Sequence, residues 1–322
     1  MESNLGHVAS TLDQSIWAIY QDSSGDYWFG SNGSGLFRYN GERFTQYTNV
    51  DGLVDNQIRG IQEDHNGNLF IETPKGVSRF DGDTFTTLKL DRSARDDWKM
   101  GPNDLWFSCN GRAQDVFRYN GERLYELKLP EQPLLDSLNI NPIGLSYSPY
   151  SVFSIQQDSK GNILFGTVLA GAFRFDGESF LWIGATELSR LPDGREPGVR
   201  TMLRDKNGYY WLGQSANKFS LSDSTFKMIE SLDFSSHFPE VDNLFFNSGI
   251  SDENGDLWLV AFTEGVWKYD GTNWESVPIQ TTVEELQIIS IYQDNDGALW
   301  LGTINDGVYH FTVGSFKKVS FK

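Results

Sequence analysis

A short motif recurs along the chain: an aspartate, a glycine three positions later, and a tryptophan three positions after the glycine. It reads DSSGDYW at 22–28, DKNGYYW at 205–211, DENGDLW at 252–258 and DNDGALW at 294–300. A type I turn prefers Asp at its first position and Gly at its fourth, because the carboxylate bonds to the turn backbone and glycine tolerates the backbone angles. A calcium loop of the EF-hand type needs closely spaced acids and a closing glutamate, and neither recurs here. The motif therefore predicts a structural turn that leads into a strand.

Degenerate copies extend this pattern over the whole chain. They read DHNGNLF at 64–70, GPNDLW at 101–106 and DSKGNIL at 158–164. The 322 residues then divide into seven units of about 46 residues each. The large residue that ends each copy anchors the second strand of its unit: Trp28, Phe70, Trp106, Leu164, Trp211, Trp258 and Trp300.

Two further features bring each unit to four strands. Segments rich in β-branched and aromatic residues precede the turns, as in SIWAIYQD at 15–22 and QIISIYQD at 287–294. Asn-Gly or Asp-Gly pairs between apolar positions follow, as in YNGERF at 39–44 and FDGDTF at 80–85, and predict hairpins. We therefore predict an all-β fold, a seven-bladed β-propeller with four antiparallel strands per blade, which spans residues 1–322 as a single domain.

Charge and composition exclude several classes of partner. The net charge of −18 repels nucleic-acid phosphates and anionic membranes. No apolar run reaches the roughly 18 residues that a membrane helix needs, so we expect no nucleic-acid partner and no membrane insertion. Cys109 is the only cysteine, which excludes an intrachain disulfide and a cysteine-rich metal site. Nucleotide-binding and metalloprotease motifs do not occur, so we expect neither a cofactor nor a metal.

The compartment depends on whether a leader has been removed. The N-terminal stretch MESNLGHVAS has no basic region and no apolar core, so it is not a signal peptide. We expect the protein to be periplasmic or extracellular if a signal or anchor was removed, and cytoplasmic otherwise.

Several stretches resemble a known repeat. GLVDNQI at 52–58, DGALWLGT at 296–303 and GLFRYN at 35–40 are similar to the lead-in, second strand and third strand of the two-component regulator propeller repeat. The resemblance covers nearly the whole chain. In that family such propellers commonly form periplasmic sensor regions of bacterial signalling proteins and often recognise carbohydrates. The resemblance thus implies a non-enzymatic sensory propeller that binds a carbohydrate or oligosaccharide.

When the repeats are aligned, one position, or column, varies from unit to unit whereas the position next to it does not. The residue four positions before each turn aspartate is always small, whereas the residue five positions before it differs from unit to unit. If the small column packs between blades, strand alternation directs the variable one toward the central channel. This variable column contains Trp17, Arg59, Phe153, Arg200, Asn247 and Ile289, of which the first five are candidate ligand contacts.

Arg59 and Arg200 stand out in this column because the chain is acidic. An arginine fork suits a carboxylate, phosphate or sulfate, although pairing with nearby acids is the alternative. We predict a ligand site at the mouth of the channel. The same face should carry Asn32, Arg112, Tyr147, Tyr150 and His237, next to long incoming loops at 128–150, 183–198 and 227–243.

Two other functions compete with the sensory one. The first is a propeller enzyme, such as a polysaccharide lyase acting on an acidic sugar, in which the two arginines hold a carboxylate. His237 or Tyr150 would then transfer the proton. The second is a platform for a protein partner. The leading hypothesis assigns no catalytic residue.

Overall fold

The computed structural model describes residues 5–92, 98–108, 115–132, 148–158, 160–183, 198–212, 217–222, 225–231 and 246–321. Their regular structure is almost entirely β, with one turn of 3-10 helix at Asn49–Asp51. The chain forms two compact units. The first comprises Met1–Lys89, Trp258–Lys268 and Trp274–Lys322, and the second comprises Leu90–Leu257 and Tyr269–Asn273. The prediction of a single domain stays a prediction.

The first two sheets belong to the first unit. The first sheet contains β1 (His7–Ala9), β2 (Ile16–Gln21), β3 (Tyr27–Ser31), β4 (Leu36–Tyr39) and β5 (Phe44–Tyr47). The second contains β6 (Gly60–Glu63), β7 (Leu69–Thr73), β8 (Gly76–Phe80) and β9 (Phe85–Thr87).

The next three sheets belong to the second unit. The third sheet contains β10 (Leu90–Asp91), β11 (Leu105–Phe107), β12 (Asp115–Tyr119) and β13 (Leu124–Lys128). The fourth contains β14 (Val152–Gln157), β15 (Ile163–Thr167), β16 (Ala172–Phe175) and β17 (Phe180–Ile183). The fifth contains β18 (Met202–Arg204), β19 (Tyr210–Leu212), β20 (Asn217–Ser222) and β21 (Thr225–Ser231).

The last two sheets complete the strand order. The sixth sheet contains β22 (Phe246–Ser251), β23 (Leu257–Ala261), β24 (Gly265–Tyr269) and β25 (Trp274–Val277). The seventh, in the first unit, contains β26 (Ile279–Gln280), β27 (Ile288–Gln293), β28 (Leu299–Thr303), β29 (Val308–Thr312) and β30 (Ser315–Lys318).

The prediction of seven like blades is wrong: the all-β propeller has six. In six sheets, four strands that follow one another in the chain lie side by side. The third sheet, around Trp106, has only β11, β12 and β13 in that order, and its fourth strand is β10, which pairs parallel to β13 at the outer edge. Within the described residues no first strand precedes β11. Gly101 and Pro102 stand in place of the Asp-x-x-Gly turn that precedes the second strand in the other blades, and residues 93–97 lie outside the described residues.

The turn aspartates explain the motif more fully than turn chemistry alone. Asp22 Oδ1 accepts hydrogen bonds from the backbone N–H groups of Ser24 and Asp26, both at 2.9 Å. Its Oδ2 accepts one from Trp28 Nε1 at 2.7 Å. Asp205 and Asp294 hold Trp211 and Trp300 in the same way at 2.8 Å. The six-residue spacing from Asp to Trp therefore connects the turn to the strand anchor.

Two blades have no tryptophan at the anchor, and an asparagine takes over its hydrogen bond. Where Phe70 replaces the indole, Asn68 Nδ2 donates to Asp64 Oδ2 at 2.8 Å. Where Leu164 replaces it, Asn162 Nδ2 donates to Asp158 Oδ2 at 2.8 Å. The second carboxylate oxygen thus has a donor with either kind of anchor.

The predicted burial of the tryptophan anchors is confirmed, since Trp28, Trp211, Trp258 and Trp300 are between 1% and 7% exposed. Within the first unit, the Trp28 ring lies 5.6 Å from the ring of Phe80 in the second blade. The anchor of one blade therefore packs against the next. Full burial of a side chain of this size stabilises a fold by several kcal/mol.

The first and last blades pack on each other within the first unit. Tyr27 Oη donates to Asp294 Oδ2 at 2.7 Å, and the backbone N–H of Gln21 donates to Tyr292 Oη at 3.0 Å. A Cβ atom built on Gly302 would lie 2.5 Å from the carbonyl oxygen of Ile16, so only glycine permits this backbone approach. β1 adds to the outer edge of the first blade by pairing with β5. Contact between these blades therefore rests on side chains and glycine rather than on a shared strand.

Candidate functional site

Each blade has two ends, a loop end and a turn end. At the loop end the chain enters the first strand and leaves the second. At the turn end the Asp-x-x-Gly turn joins these two strands. The variable column lies near the loop end, where the first strand meets the preceding blade: the backbone N–H of Ile58 donates to the Ser31 carbonyl at 2.8 Å, and that of Val199 donates to Thr167 at 2.9 Å.

The column residues lie at β-bulges in several blades. The pairing of β2 with β3 shifts between Ile16 and Ala18, so Trp17 has no partner residue across the ladder. The same shift occurs at Phe153 in β14 and at Ile289 in β27. A bulge re-aims a side chain and often borders functional sites. Sequence alternation missed these bulges because they follow from pairing register and not from residue type.

Arg59 and Trp17 form a stacked pair in the first unit. The Arg59 guanidinium carbon lies 4.1 Å from the centre of the Trp17 ring, which belongs to the preceding blade. The guanidinium group also donates to Gln57 Oε1 at 3.0 Å and to the Ile58 carbonyl at 3.2 Å. Both side chains are half-buried. Stacking fixes the plane of the guanidinium group and leaves its edge oriented for hydrogen bonding.

Arg200 and Phe153 repeat this arrangement in the second unit. The Arg200 guanidinium carbon lies 4.2 Å from the centre of the Phe153 ring, again in the preceding blade. Asn247 occupies the same position in the following blade and is also half-buried. The structure therefore pairs four of the five candidate residues of the column as two arginine–aromatic stacks, each within one unit.

Other residues predicted at the loop end have varied surroundings. Asn32 is exposed and its backbone bridges to Gln57. Tyr150 is half-buried, and its hydroxyl accepts a hydrogen bond from the backbone N–H of Gln132 at 2.6 Å. Arg112, Tyr147 and His237 lie outside the described residues. Tyr150 therefore bonds to Gln132, the last described residue before Ser148.

Two carboxylates at the loop end of the first unit are engaged internally. Burial acts to raise the pKa of the Asp13 carboxyl, but hydrogen bonds from Ser31 and Ser34 outweigh burial and lower it. Asp306 is 7% exposed and accepts hydrogen bonds from Tyr309 Oη and Lys318 Nζ, both at 2.5 Å. Burial, and then the bond to Asp306, raise the pKa of Tyr309 to about 12. Both acids are held by neighbouring side chains.

The described residues give few groups for chemistry beyond binding. His65 lies in a turn and His310 lies on β29, so neither is on a first strand. Among the described residues no three His, Cys, Asp or Glu side chains converge as metal ligands would. None of the helical segments described is long and apolar enough to cross a membrane.

The model of the two component regulator propeller family matches residues 11–33 and 283–305. These segments include the turns of the first and last blades. A comparison with curated protein sequences finds no match.

Solved structures share the fold over almost the whole chain. The extracellular domain of the hybrid two component system BT4673 from B. thetaiotaomicron is 20% identical with a TM-score of 0.62, and the match covers 94% of this chain and 39% of that one. The corresponding domain of BT3049 is 16% identical with a TM-score of 0.59, covering 94% and 41%. This chain thus spans about two fifths of those domains.

An enzyme of similar length also shares the fold. Virginiamycin B lyase from Staphylococcus aureus is 12% identical with a TM-score of 0.66, and the match covers 95% of this chain and 98% of the lyase. At such identities the likeness shows the propeller fold alone, because one fold carries many activities.

Proposed function

We propose that this chain, which carries two component regulator propeller repeats at residues 11–33 and 283–305, is a sensory module that binds a carbohydrate or oligosaccharide. Binding takes place at the loop ends of the first strands, around the arginine–aromatic pairs. The observation that carries the proposal is that each arginine of the variable column stacks on an aromatic ring from the preceding blade.

The chemistry of the column suits a hydroxylated ligand. A stacked guanidinium group offers donors in a fixed plane to hydroxyl or carboxylate oxygens. Asn247 adds an amide, which both donates and accepts. Trp17 and Phe153 are aromatic rings of the kind against which the apolar face of a sugar packs. Together these groups offer contacts to both the hydroxyls and the apolar face of a saccharide.

The location of the protein is part of the proposal. The BT4673 and BT3049 domains are extracellular domains of signalling systems. By analogy we propose that this propeller works outside the cytoplasm, in the periplasm or at the cell surface, and reports ligand to another protein or domain.

The lyase hypothesis requires a group for proton transfer beside the arginines. The Tyr150 hydroxyl accepts a hydrogen bond from the backbone N–H of Gln132, which is a structural role. His237 lies outside the described residues. We propose binding without catalysis.

A glycan array followed by calorimetric titration of the best ligand tests the proposal. Arg59→Met and Arg200→Met are made singly and together, because methionine keeps an unbranched side chain and removes the fork. Arg123→Met is the matched control, since Arg123 is exposed in the turn before β13 and paired with Asp91. The double variant should bind at least about tenfold more weakly, equivalent to about 1.4 kcal/mol.

The thermal midpoint of the same variants separates binding from folding. We expect each midpoint to fall only slightly below that of Arg123→Met, because a cation–π pair contributes about 0.5–1 kcal/mol when exposed and about 2 kcal/mol when desolvated, and these pairs are half-buried. Unchanged affinity in the double variant would refute the proposal. A large loss of stability without a ligand effect would assign the arginines to the fold.

A further inference from the structure

A groove of about 650 Å³ lies at the turn end of the second unit. It is therefore at the opposite ends of the first strands from Phe153 and Arg200. The last residues of β14, β18 and β22 line it, together with the turns that follow β18 and β22. Its volume is in the range of pockets that bind small molecules.

The groove coincides with a break in the repeat. Three positions before the turn aspartate, five blades carry a large aliphatic residue: Ile19, Ile61, Ile155, Met202 and Ile291. The sixth blade carries Gly249 instead, and this glycine lines the groove. Gly249 lies within strand β22 and does not have a positive φ, so the backbone does not require glycine there. A glycine inside a strand often marks the close approach of a ligand or another chain.

The neighbouring position of the strand, one residue further along, carries a tyrosine in the first and last blades of the first unit and Gln62 in the second. The two tyrosines are Tyr20 and Tyr292, whose rings are 6.0 Å apart. Tyr20 Oη donates to Glu63 Oε2 at 3.2 Å, and Tyr292 Oη accepts from the backbone N–H of Gln21 at 3.0 Å. The second unit carries Gln156, Leu203 and Ile250 at these positions. These shorter side chains leave the space between neighbouring first strands open.

The lining combines an apolar floor with amide and hydroxyl groups. Leu164, Met202, Leu203 and Ile250 supply apolar surface, and Gln156 and Ser251 supply hydrogen-bonding groups. An amide both donates and accepts, and so does a hydroxyl. Such a set matches a ring that carries hydroxyls on its rim and C–H groups on its face.

Charge at the groove favours a neutral ligand. Its lining contains four acids and two bases on a protein of net charge −18, which disfavours an anion. Asp158 and Asp205 already accept hydrogen bonds from Tyr210 Oη at 2.7 Å and Trp211 Nε1 at 2.8 Å. The Lys206 ammonium lies 3.0 Å from Asp256 Oδ1. At least three of the six charged groups are therefore engaged within the protein, which weakens the attraction of the groove for a cation.

We propose that the turn-end groove of the second unit is a second binding site, which accepts a neutral polyhydroxylated molecule of mono- or disaccharide size. Gln156 and Ser251 bind its hydroxyls, and Ile250 contacts its C–H face. Met202 also belongs to the groove lining but is 1% exposed, so it reports binding by its nearness to the site. The site exists because Gly249 replaces the large aliphatic residue of the repeat. This inference does not rest on the proposed function, which concerns the other end of the strands.

Methionine-methyl NMR tests the site directly. The chain contains four methionines, of which Met202 lines the groove and Met100 packs in a core cluster elsewhere in the same unit. Protein labelled with ¹³C at the methionine methyls is titrated with glucose, galactose, maltose and cellobiose. The Met202 methyl signal should shift saturably with at least one of these sugars, while the Met100 signal stays in place.

Two variants and one control make the result specific. Gly249→Ile restores the residue type of the other blades, fills the groove and should abolish the Met202 shift. Gln156→Ala removes one amide from the half-buried rim and should weaken binding about threefold or more, which gives a reading even if Gly249→Ile fails to fold. Arg123→Met changes an exposed residue outside the groove lining and should leave the Met202 shift unchanged. A Met202 signal that moves with none of these sugars would overturn the inference. So would a signal that moves as far in both groove variants as it does in the unmodified protein.

Discussion

Replacing Asp294 by asparagine perturbs the connection between turn, anchor and neighbouring blade at one point. Asp294 is 7% exposed. Its Oδ1 accepts from the backbone N–H groups of Ala298 at 2.8 Å and Asp296 at 3.1 Å. Its Oδ2 accepts from Trp300 Nε1 at 2.8 Å and from Tyr27 Oη at 2.7 Å. All four neighbouring groups are therefore donors.

An asparagine side chain satisfies only part of this set. Its oxygen keeps the two backbone donors, and its NH₂ group then faces the Trp300 indole N–H. The Tyr27 hydroxyl can rotate and accept, but the indole N–H cannot. One buried donor left without an acceptor costs about 1–3 kcal/mol, and hydrogen bonds to a charged group are each worth about 1.5–3 kcal/mol. We expect Asp294→Asn to lower the free energy of unfolding by about 3 kcal/mol.

Urea unfolding at neutral pH measures this loss, provided that the slope with denaturant stays constant. Asp296→Asn is the matched control, because Asp296 lies in the same turn but is exposed. A surface change of this kind should stay within about 0.5 kcal/mol. If Asp294→Asn costs no more than Asp296→Asn, the carboxylate does not hold the anchor and the reasoning about the motif is wrong.

A double-mutant cycle isolates the contribution of the neighbouring blade. Tyr27→Phe removes only the phenol that donates to Asp294. Contacting residues in one hydrogen-bonded network show coupling of about 0.5–3 kcal/mol. Additive losses in the double variant would mean that the first and last blades do not cooperate through this bond.

Three further predictions follow from the same architecture. Burial acts to raise the pKa of Asp64, Asp158 and Asp294, but the hydrogen bonds that they accept outweigh burial and leave each pKa lowered. A carboxyl whose pKa is lowered by folding stabilises the protein above its unfolded pKa, so urea midpoints should fall as the pH drops below about 5. An unchanged midpoint would contradict this. Gly302→Ala should destabilise more than Gly60→Ala, because the new Cβ meets the Ile16 backbone carbonyl in one case and the end of a side chain in the other; equal losses by urea unfolding would be inconsistent with close blade contact. Trp300→Phe should lower the free energy of unfolding by about 1–3 kcal/mol. Adding Ala298→Asn should recover part of the loss, because asparagine donates to the turn aspartate beside the two anchors that lack an indole. If the double variant recovers nothing in urea unfolding, asparagine does not replace the indole as a donor.

The repeated motif allowed much of the architecture to be predicted from sequence. Asp22 and its copies form the expected turns because an Asp side chain bonds to its own turn backbone whatever lies around it. Trp28 and its copies are buried because large aromatic residues at a fixed place in each repeat must pack against something. Both conclusions depend on local chemistry, which a sequence displays.

Features that depend on pairing could not be predicted in the same way. The count of seven blades assumed that the unit around Trp106 has a first strand, although Gly101 and Pro102 precede its second strand and no Asp-x-x-Gly turn is present. The bulge at Trp17 is set by the register between two strands. The stacking of Arg59 on Trp17 joins residues of different blades. The sequence shows Asn68 two positions before Phe70, where other units have an indole. Only the hydrogen bond from Asn68 to Asp64 shows that this asparagine replaces the indole as a donor.

A crystal structure with the best ligand from the glycan array shows whether the arginine–aromatic pairs form the binding site. Ligand oxygens should lie within hydrogen-bonding distance of the guanidinium nitrogens of Arg59 or Arg200, with a sugar ring against the edge or the opposite face of Trp17 or Phe153. A ligand bound elsewhere on the surface, with both arginine–aromatic pairs untouched, would contradict the proposal.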